Sequence, residues 1–208
     1  MKNPRHCPRS ALAVLGFFVF AGLASSAPGS PPALLPASAP DDGRGGALAP
    51  RRADLTGARV GLLVNTKQNA GLFLEEVGRL LVERHRAASV LARTKVNFAQ
   101  PAPEDLLKEL TTECDVVITG IGDCGSCSAS AVTDGVLLEG RGTPVAVICS
   151  DAFRGSADAI AGLRGAPGYQ YATTPHPVAV LTPDQVRERA RTVLPDVVAL
   201  LVSAVGAA

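Results

Sequence analysis

The 208-residue chain has no tryptophan, one methionine and only 4% aromatic residues, although 47% of its residues are hydrophobic. Its core must therefore be built from Val, Leu, Ile and Ala, which suits helices layered on a sheet. A basic surplus is missing as well. Residues 1–52 take six of the 20 Lys and Arg and two of the 19 Asp and Glu, which leaves the remainder at net −3. Such a domain offers no phosphate-tracking surface, so nucleic acid is excluded as an expected partner. Cysteine is scarce too, at positions 7, 114, 124, 127 and 149. Cys124 and Cys127 are too close together to staple a fold as disulfides do in small secreted domains. No second C-x-x-C and no H-x-x-x-H accompanies them, so no metal cofactor is expected.

The longest apolar stretch, ALAVLGFFVFAGLA, has roughly fourteen residues, short of the ~20 a membrane helix needs. It follows Lys2, Arg5 and Arg9 and precedes the small residues SSA. That is the order of a secretory signal peptide, expected over 1–27, and no membrane span is expected after processing. The Pro/Ala/Ser/Gly-rich segment 28–55 reads as a disordered linker. The absence of acidic residues before Asp41 also resembles the two-part plastid presequence of some algae. The expected destination is the secretory pathway, ending outside the cell, in a periplasm or in an organelle lumen.

A single domain is expected over 56–208. RVGLLV (59–64) is a short apolar run followed by polar NTKQN and reads as a buried parallel strand; ASVLARTKV (88–96) is the second strand, and DVVITG (115–120) and TPVAVICSD (143–151), apolar in their central positions, are the third and fourth. Between them lie amphipathic segments: one after Asn69, which is placed to cap it, one over 100–113 with Pro103 and Glu104 at its start, and one over 128–142. Ser150-Asp151 is expected to cap a fourth helix, YQYATTPHPVAVLT (169–182) to be extended, and Pro183 to open a last helix that Pro195 kinks or splits. This alternation predicts an open three-layer α/β/α sandwich with a mainly parallel sheet, Rossmann/flavodoxin-like in class.

In such sheets the chemistry gathers outside the carboxyl ends of the strands. Asn65, Thr66 and Lys67 follow the first, Gly120 to Cys127 the third, and Cys149, Ser150 and Asp151 the fourth. Within TGIGDCGSCSAS, Cys124 and Cys127 sit where a strand hands over to a helix. Unpaired amides there carry partial positive charge and stabilise a thiolate. The spacing suits a reversible disulfide. Cys114 falls at the opposite edge, where a small buried apolar role is expected.

These residues carry a resemblance. TGIGDCGSCSAS, GRGTPVAVICSDAF and the later PHP, together with GLLVNTKQNA, are similar to the UGSC family. Its name-giving tetrapeptide begins with selenocysteine in some members and cysteine in others, and here that position is Cys124. Because selenium and sulfur both occur there, the resemblance implies thiol–disulfide-type redox chemistry at that atom. Cys124 is then the expected nucleophile and Cys127 the resolving thiol, with no cofactor beyond the dithiol pair. His176, set between prolines, is the candidate base or proton donor. Asp123 is a proton acceptor or loop-aiming group, and Cys149 a third sulfur able to exchange with the pair. Asn65, Lys67, Gly122, Gly125, Ser126, Ser128 and Asp151 are the candidate substrate contacts. A small molecule or a thiol reductant is the expected partner.

Two other readings share this edge. Cys124 and Cys149 could act as acid and base across a cleft, an arrangement that resembles aspartate/glutamate racemases. Alternatively the C-x-x-C is a static disulfide in a non-catalytic binding domain. Gly120, Gly122 and Gly125 also match G-x-G-x-x-G after a strand, but no acidic residue follows in the place dinucleotide binding needs.

Overall fold

The computed structural model describes residues 48–203; the expected targeting segment and residues 28–47 of the expected linker lie outside them. Five parallel strands form one sheet in the order β2-β1-β3-β4-β5: β1 Arg59–Val64, β2 Ser89–Thr94, β3 Val116–Gly122, β4 Val145–Ser150 and β5 Ala172–Thr174. Five helices cover it: α1 Ala70–His85, α2 Glu104–Glu113, α3 Gly125–Glu139, α4 Arg154–Leu163 and α5 Pro183–Leu201. This is the flavodoxin-like strand order. Among the described residues no helix is long and apolar enough to cross a membrane.

Alternation along the strands sends side chains to two separate cores. Val60, Leu62, Ile118 and Ile148 pack under α1 and α5 with Phe73, Leu80, Val193 and Leu201. Leu63, Val117, Val147 and Cys149 face the other way, toward Leu110 of α2, Val132 and Leu138 of α3 and Ala161 of α4. Each fully buried Leu or Phe contributes about 1.5–3 kcal/mol of burial free energy, so the aromatic-poor core suffices through numbers of aliphatic side chains. β2 is an edge strand and shows the exposed, half-buried alternation of one.

Residues 48–55 correct the expected linker boundary, because they fold onto the domain. Ala49 and Leu55 are buried. The Ala49 N–H and the Arg51 guanidinium donate to Oε2 of buried Glu139 at 2.7 and 2.8 Å, and Arg52 pairs with Val202. Three other local expectations change. Asn69 occupies the N-cap of α1 in the left-handed region (φ 69°), but its side chain makes no cap bond. It donates instead to the Val178, Ala179 and Leu181 carbonyls. The extended stretch 169–182 contracts to the three residues of β5. Pro195 does not split α5, which runs unbroken from Pro183 to Leu201 with Pro195 on its exposed face.

Candidate functional site

α3 starts at Gly125, inside the C-x-x-C, rather than at Ser128. Cys124 itself is the N-cap, and its Sγ accepts from the Cys127 N–H at 3.2 Å. A sulfur thus takes the place that serine or aspartate oxygen usually fills at a cap. Cys124 and Cys127 are joined as a disulfide across a Cα–Cα distance of 5.2 Å. Cys124 is half-buried, whereas Cys127 is wholly buried. Ser126, exposed, brings its hydroxyl to 3.6 Å from the Cys124 sulfur.

Immediately before this pair lies Asp123, only 7% exposed and surrounded by donors. Its Oδ1 receives the Ser150 hydroxyl at 2.8 Å and His176 Nδ1 at 2.9 Å. Its Oδ2 receives the Val178 and Ala179 N–H groups at 3.0 and 2.9 Å. Burial by itself pushes this carboxyl up. The Ala179 amide, the Ser150 hydroxyl, the Val178 amide and His176 together outweigh it, and the net direction is below the ordinary aspartate value. The carboxylate is therefore ionised at neutral pH. Because an ionised acceptor faces Nδ1, that nitrogen carries the hydrogen and Nε2 is the open ring nitrogen of His176.

His176 is fixed at two further points. Its backbone N–H donates to Asp151 Oδ1 at 3.0 Å, and Phe153 meets its ring edge-on at 5.1 Å between centroids. The ring remains 38% exposed. The structure therefore brings together Asp123, Cys124, Cys127, His176 and Asp151 from three chain segments.

It draws other expected residues away. Cys149 is fully buried beneath the first turn of α3, and burial pushes its thiol up to about 12 although the Ser128 hydroxyl partly offsets this. It presents no sulfur to the open edge. This corrects its expected role as an exchanging thiol, and it leaves the racemase reading without its second acid–base group. Cys114 is buried between α2 and β1 as expected, its thiol raised to about 11 by the same cause.

Asn65 is buried and spends its amide on backbone, donating to the Ile121 carbonyl at 2.7 Å and accepting from the Lys67 N–H at 3.1 Å. Lys67 rests its ammonium over Phe98, 4.9 Å from the ring centroid. Gly122 and Ser128 are packing positions: Ser128 is buried and its hydroxyl donates to the Gly122 carbonyl at 3.0 Å. Gly125 leaves room for Ser156, whose hydroxyl would lie 3.3 Å from an added Cβ.

Sequence reading missed Ser150 as an Asp123 donor, because its place after a strand suggested a cap. It also missed a buried cluster near the end of β2. There Lys95 Nζ donates to Asp134 Oδ2 at 2.6 Å, Ser130 Oγ at 2.6 Å and the Gln100 carbonyl at 2.9 Å. Among the described residues no group of three or more His, Cys, Asp and Glu side chains is placed to hold a metal.

Comparison with known proteins adds three findings. The family model described as UGSC family matches residues 32–203. No curated protein matches the chain. Among solved structures, the crystal structure of the flavodoxin-like domain of a Synechococcus sp. protein is similar at 14% identity and a TM-score of 0.38, covering 66% of this chain and 89% of that one.

Proposed function

The chain belongs to the UGSC family, and we propose that it is a thiol–disulfide oxidoreductase in which Cys124 attacks and Cys127 resolves. One observation carries this reading. The two sulfurs are bonded at the start of a helix, with the capping cysteine half-buried and its partner wholly buried. An incoming substrate sulfur can reach Cys124 alone, so the order of attack is fixed by access.

In the reduced protein the Cys124 thiolate is stabilised by the Cys127 amide and the partial charge at the start of α3. It attacks one sulfur of a substrate disulfide, forming a Cys124–substrate disulfide and expelling the other sulfur as a thiolate. The Cys127 thiol then gives up its proton to solvent as it attacks Cys124 Sγ, closes the internal disulfide and expels the second substrate sulfur, which takes a proton from solvent. Two electrons pass from the protein dithiol to the substrate, and an external dithiol or two monothiols return them by the reverse route.

The test is trapping. In a Cys7→Ser background, the reduced Cys127→Ser variant, mixed with bis(2-hydroxyethyl) disulfide, should accumulate a stable mixed disulfide at Cys124 that intact-mass measurement detects, while Cys124→Ser accumulates none. If the native disulfide resists excess dithiothreitol in the folded protein, or if Cys124 is not the trapped residue, the reading fails and a static C-x-x-C stands in its place.

A further inference from the structure

We infer that His176 is the acid–base group of this exchange and that Asp123 is its positioning residue, a role that rests on the thiol–disulfide reading above. The argument starts from cost. A half-exposed loop histidine has no packing reason to be anchored, yet this one is held at its ring nitrogen by Asp123 after β3, and at its backbone amide and ring edge by Asp151 and Phe153 after β4. The residue that holds the ring nitrogen is the one next to the attacking cysteine in the chain. Asp123 also takes the amides of Val178 and Ala179, so the loop carrying His176 is tied at two successive residues beyond the ring.

This geometry selects chemistry. With Nδ1–H committed to a carboxylate, the neutral ring can only accept at Nε2, and the protonated ring can only donate there. The proton of the Cys124 thiol passes to Nε2 as the thiolate forms. The imidazolium then returns it to the substrate thiolate that leaves when the Cys124–substrate bond closes. For this first exchange the proton count balances without an outside donor, and the Asp123 carboxylate offsets the transient positive charge while staying ionised. The other charged groups around the ring are Asp151, which holds its amide, Arg154, which donates to Thr173, and Arg189, which donates to the Pro175 carbonyl. None of these bonds the ring nitrogens, so the switch between donor and acceptor is left to Nε2.

A proton donor helps only where the departing sulfur is basic, and this separates the role from any effect on folding or on Cys124 itself. The test compares two disulfides against the reduced full-length protein. Bis(2-hydroxyethyl) disulfide expels an alkyl thiolate more basic than that of cysteine (pKa ~8.5), whereas 5,5′-dithiobis(2-nitrobenzoate) expels an anion that needs no proton. His176→Gln should slow the first by about 100-fold, the low end of what a positioned acid contributes, and the second by less than about twofold. In the wild type the ratio of the two rates, in which Cys124 ionisation cancels, should fall as pH is raised, and in the variant it should be flat. Asp123→Asn should shift the ratio in the same sense. If that variant does not fold, the exposed His176→Gln carries the test alone. Equal slowing of both disulfides, or slowing of neither, overturns the assignment. Failure of the wild type to react with either disulfide instead overturns the exchange reading itself.

Discussion

Gly122→Ala is the sharpest test of how the cysteine turn is seated. A Cβ added there would lie 2.6 Å from Ser128 Oγ, 2.8 Å from Cys149 Sγ and 2.8 Å from the Ser128 Cα, against the 3.4–4 Å of ordinary contact. The hydroxyl could rotate, but a Cα cannot, so the first turn of α3 must lift from β3 by about 0.6–1.2 Å, the shortfall against that ordinary contact. Overpacking of this kind costs about 1–3 kcal/mol. The lift also stretches the buried Ser128-to-Gly122 hydrogen bond, worth about 1 kcal/mol. The sum, about 2–4 kcal/mol, corresponds to a fall in Tm of roughly 5–15 °C for a domain of this size. Thermal unfolding followed by circular dichroism reads that number. Alkylation adds a second readout, because a lifted helix uncovers Cys149, which should become labelled by iodoacetamide in the native variant and not in the wild type. Gly162→Ala, with nothing within 4 Å of the added carbon, is the control and should be neutral or stabilising by up to about 1 kcal/mol. A Gly122→Ala Tm within 1 °C of wild type, with Cys149 still silent, would refute the claim that close approach at this glycine seats the site.

Three further outcomes follow from the buried charges and the sulfurs. Lys95→Met leaves Asp134 buried without its cation and should cost about 3–5 kcal/mol at neutral pH by urea unfolding. Burial already pushes Asp134 up, so it takes a proton more readily in the folded than in the unfolded state, and the variant's deficit should shrink as pH falls. Asp123 is the opposite case. Its folded value is depressed, so its contribution is fully present above the ordinary carboxylate range and is lost as pH falls through the depressed value. Asp123→Asn leaves two backbone donors without a charged acceptor and should cost about 2–4 kcal/mol at pH 7, and the gap from wild type should close on acidification. In a Cys7→Ser background, the oxidised native protein should show no fast thiol with iodoacetamide. Reduction should expose a single fast thiol at Cys124, and Cys114 and Cys149 should react only on unfolding, as checked by peptide mass spectrometry.

Much of the architecture is legible in the chain because parallel strands buried on both faces need continuous apolar runs, and such runs stand out between polar loops. β1 falls on the expected residues 59–64. The start of α3 is illegible for a physical reason. Helix caps are read from oxygen side chains, and here the capping atom is the Cys124 sulfur, so the motif residues join the helix they seemed to precede. The attraction of Asn69 to the 178–181 loop and of Lys95 to Asp134 depends on contacts 109 and 39 residues apart, which no local pattern encodes. At the site, the cysteine pair was readable from spacing alone. The hub was not: that Asp123 rather than water would satisfy His176, Val178 and Ala179 requires knowing that the end of β5 lies two strands from the end of β3.

That displacement also moves the site. In sheets of this order the crevice at the reversal of strand order lies between β1 and β3, and ligands commonly sit there. The β1 loop of this chain is committed elsewhere, with Asn65 closing onto the Ile121 carbonyl and Lys67 stacked on Phe98. The groups that surround Asp123 and Cys124 come instead from the ends of β4 and β5, through Ser150, Asp151 and His176. The Cys124 turn thus has His176 on the β4–β5 side and a finished hydrogen-bond network on the β1 side. If His176 moves the proton as proposed, a substrate disulfide laid across the turn from the β4–β5 side brings its departing sulfur toward Nε2, while one laid from the β1 side leaves that sulfur with no donor but water. The asymmetry follows from where a single buried carboxylate finds its four donors.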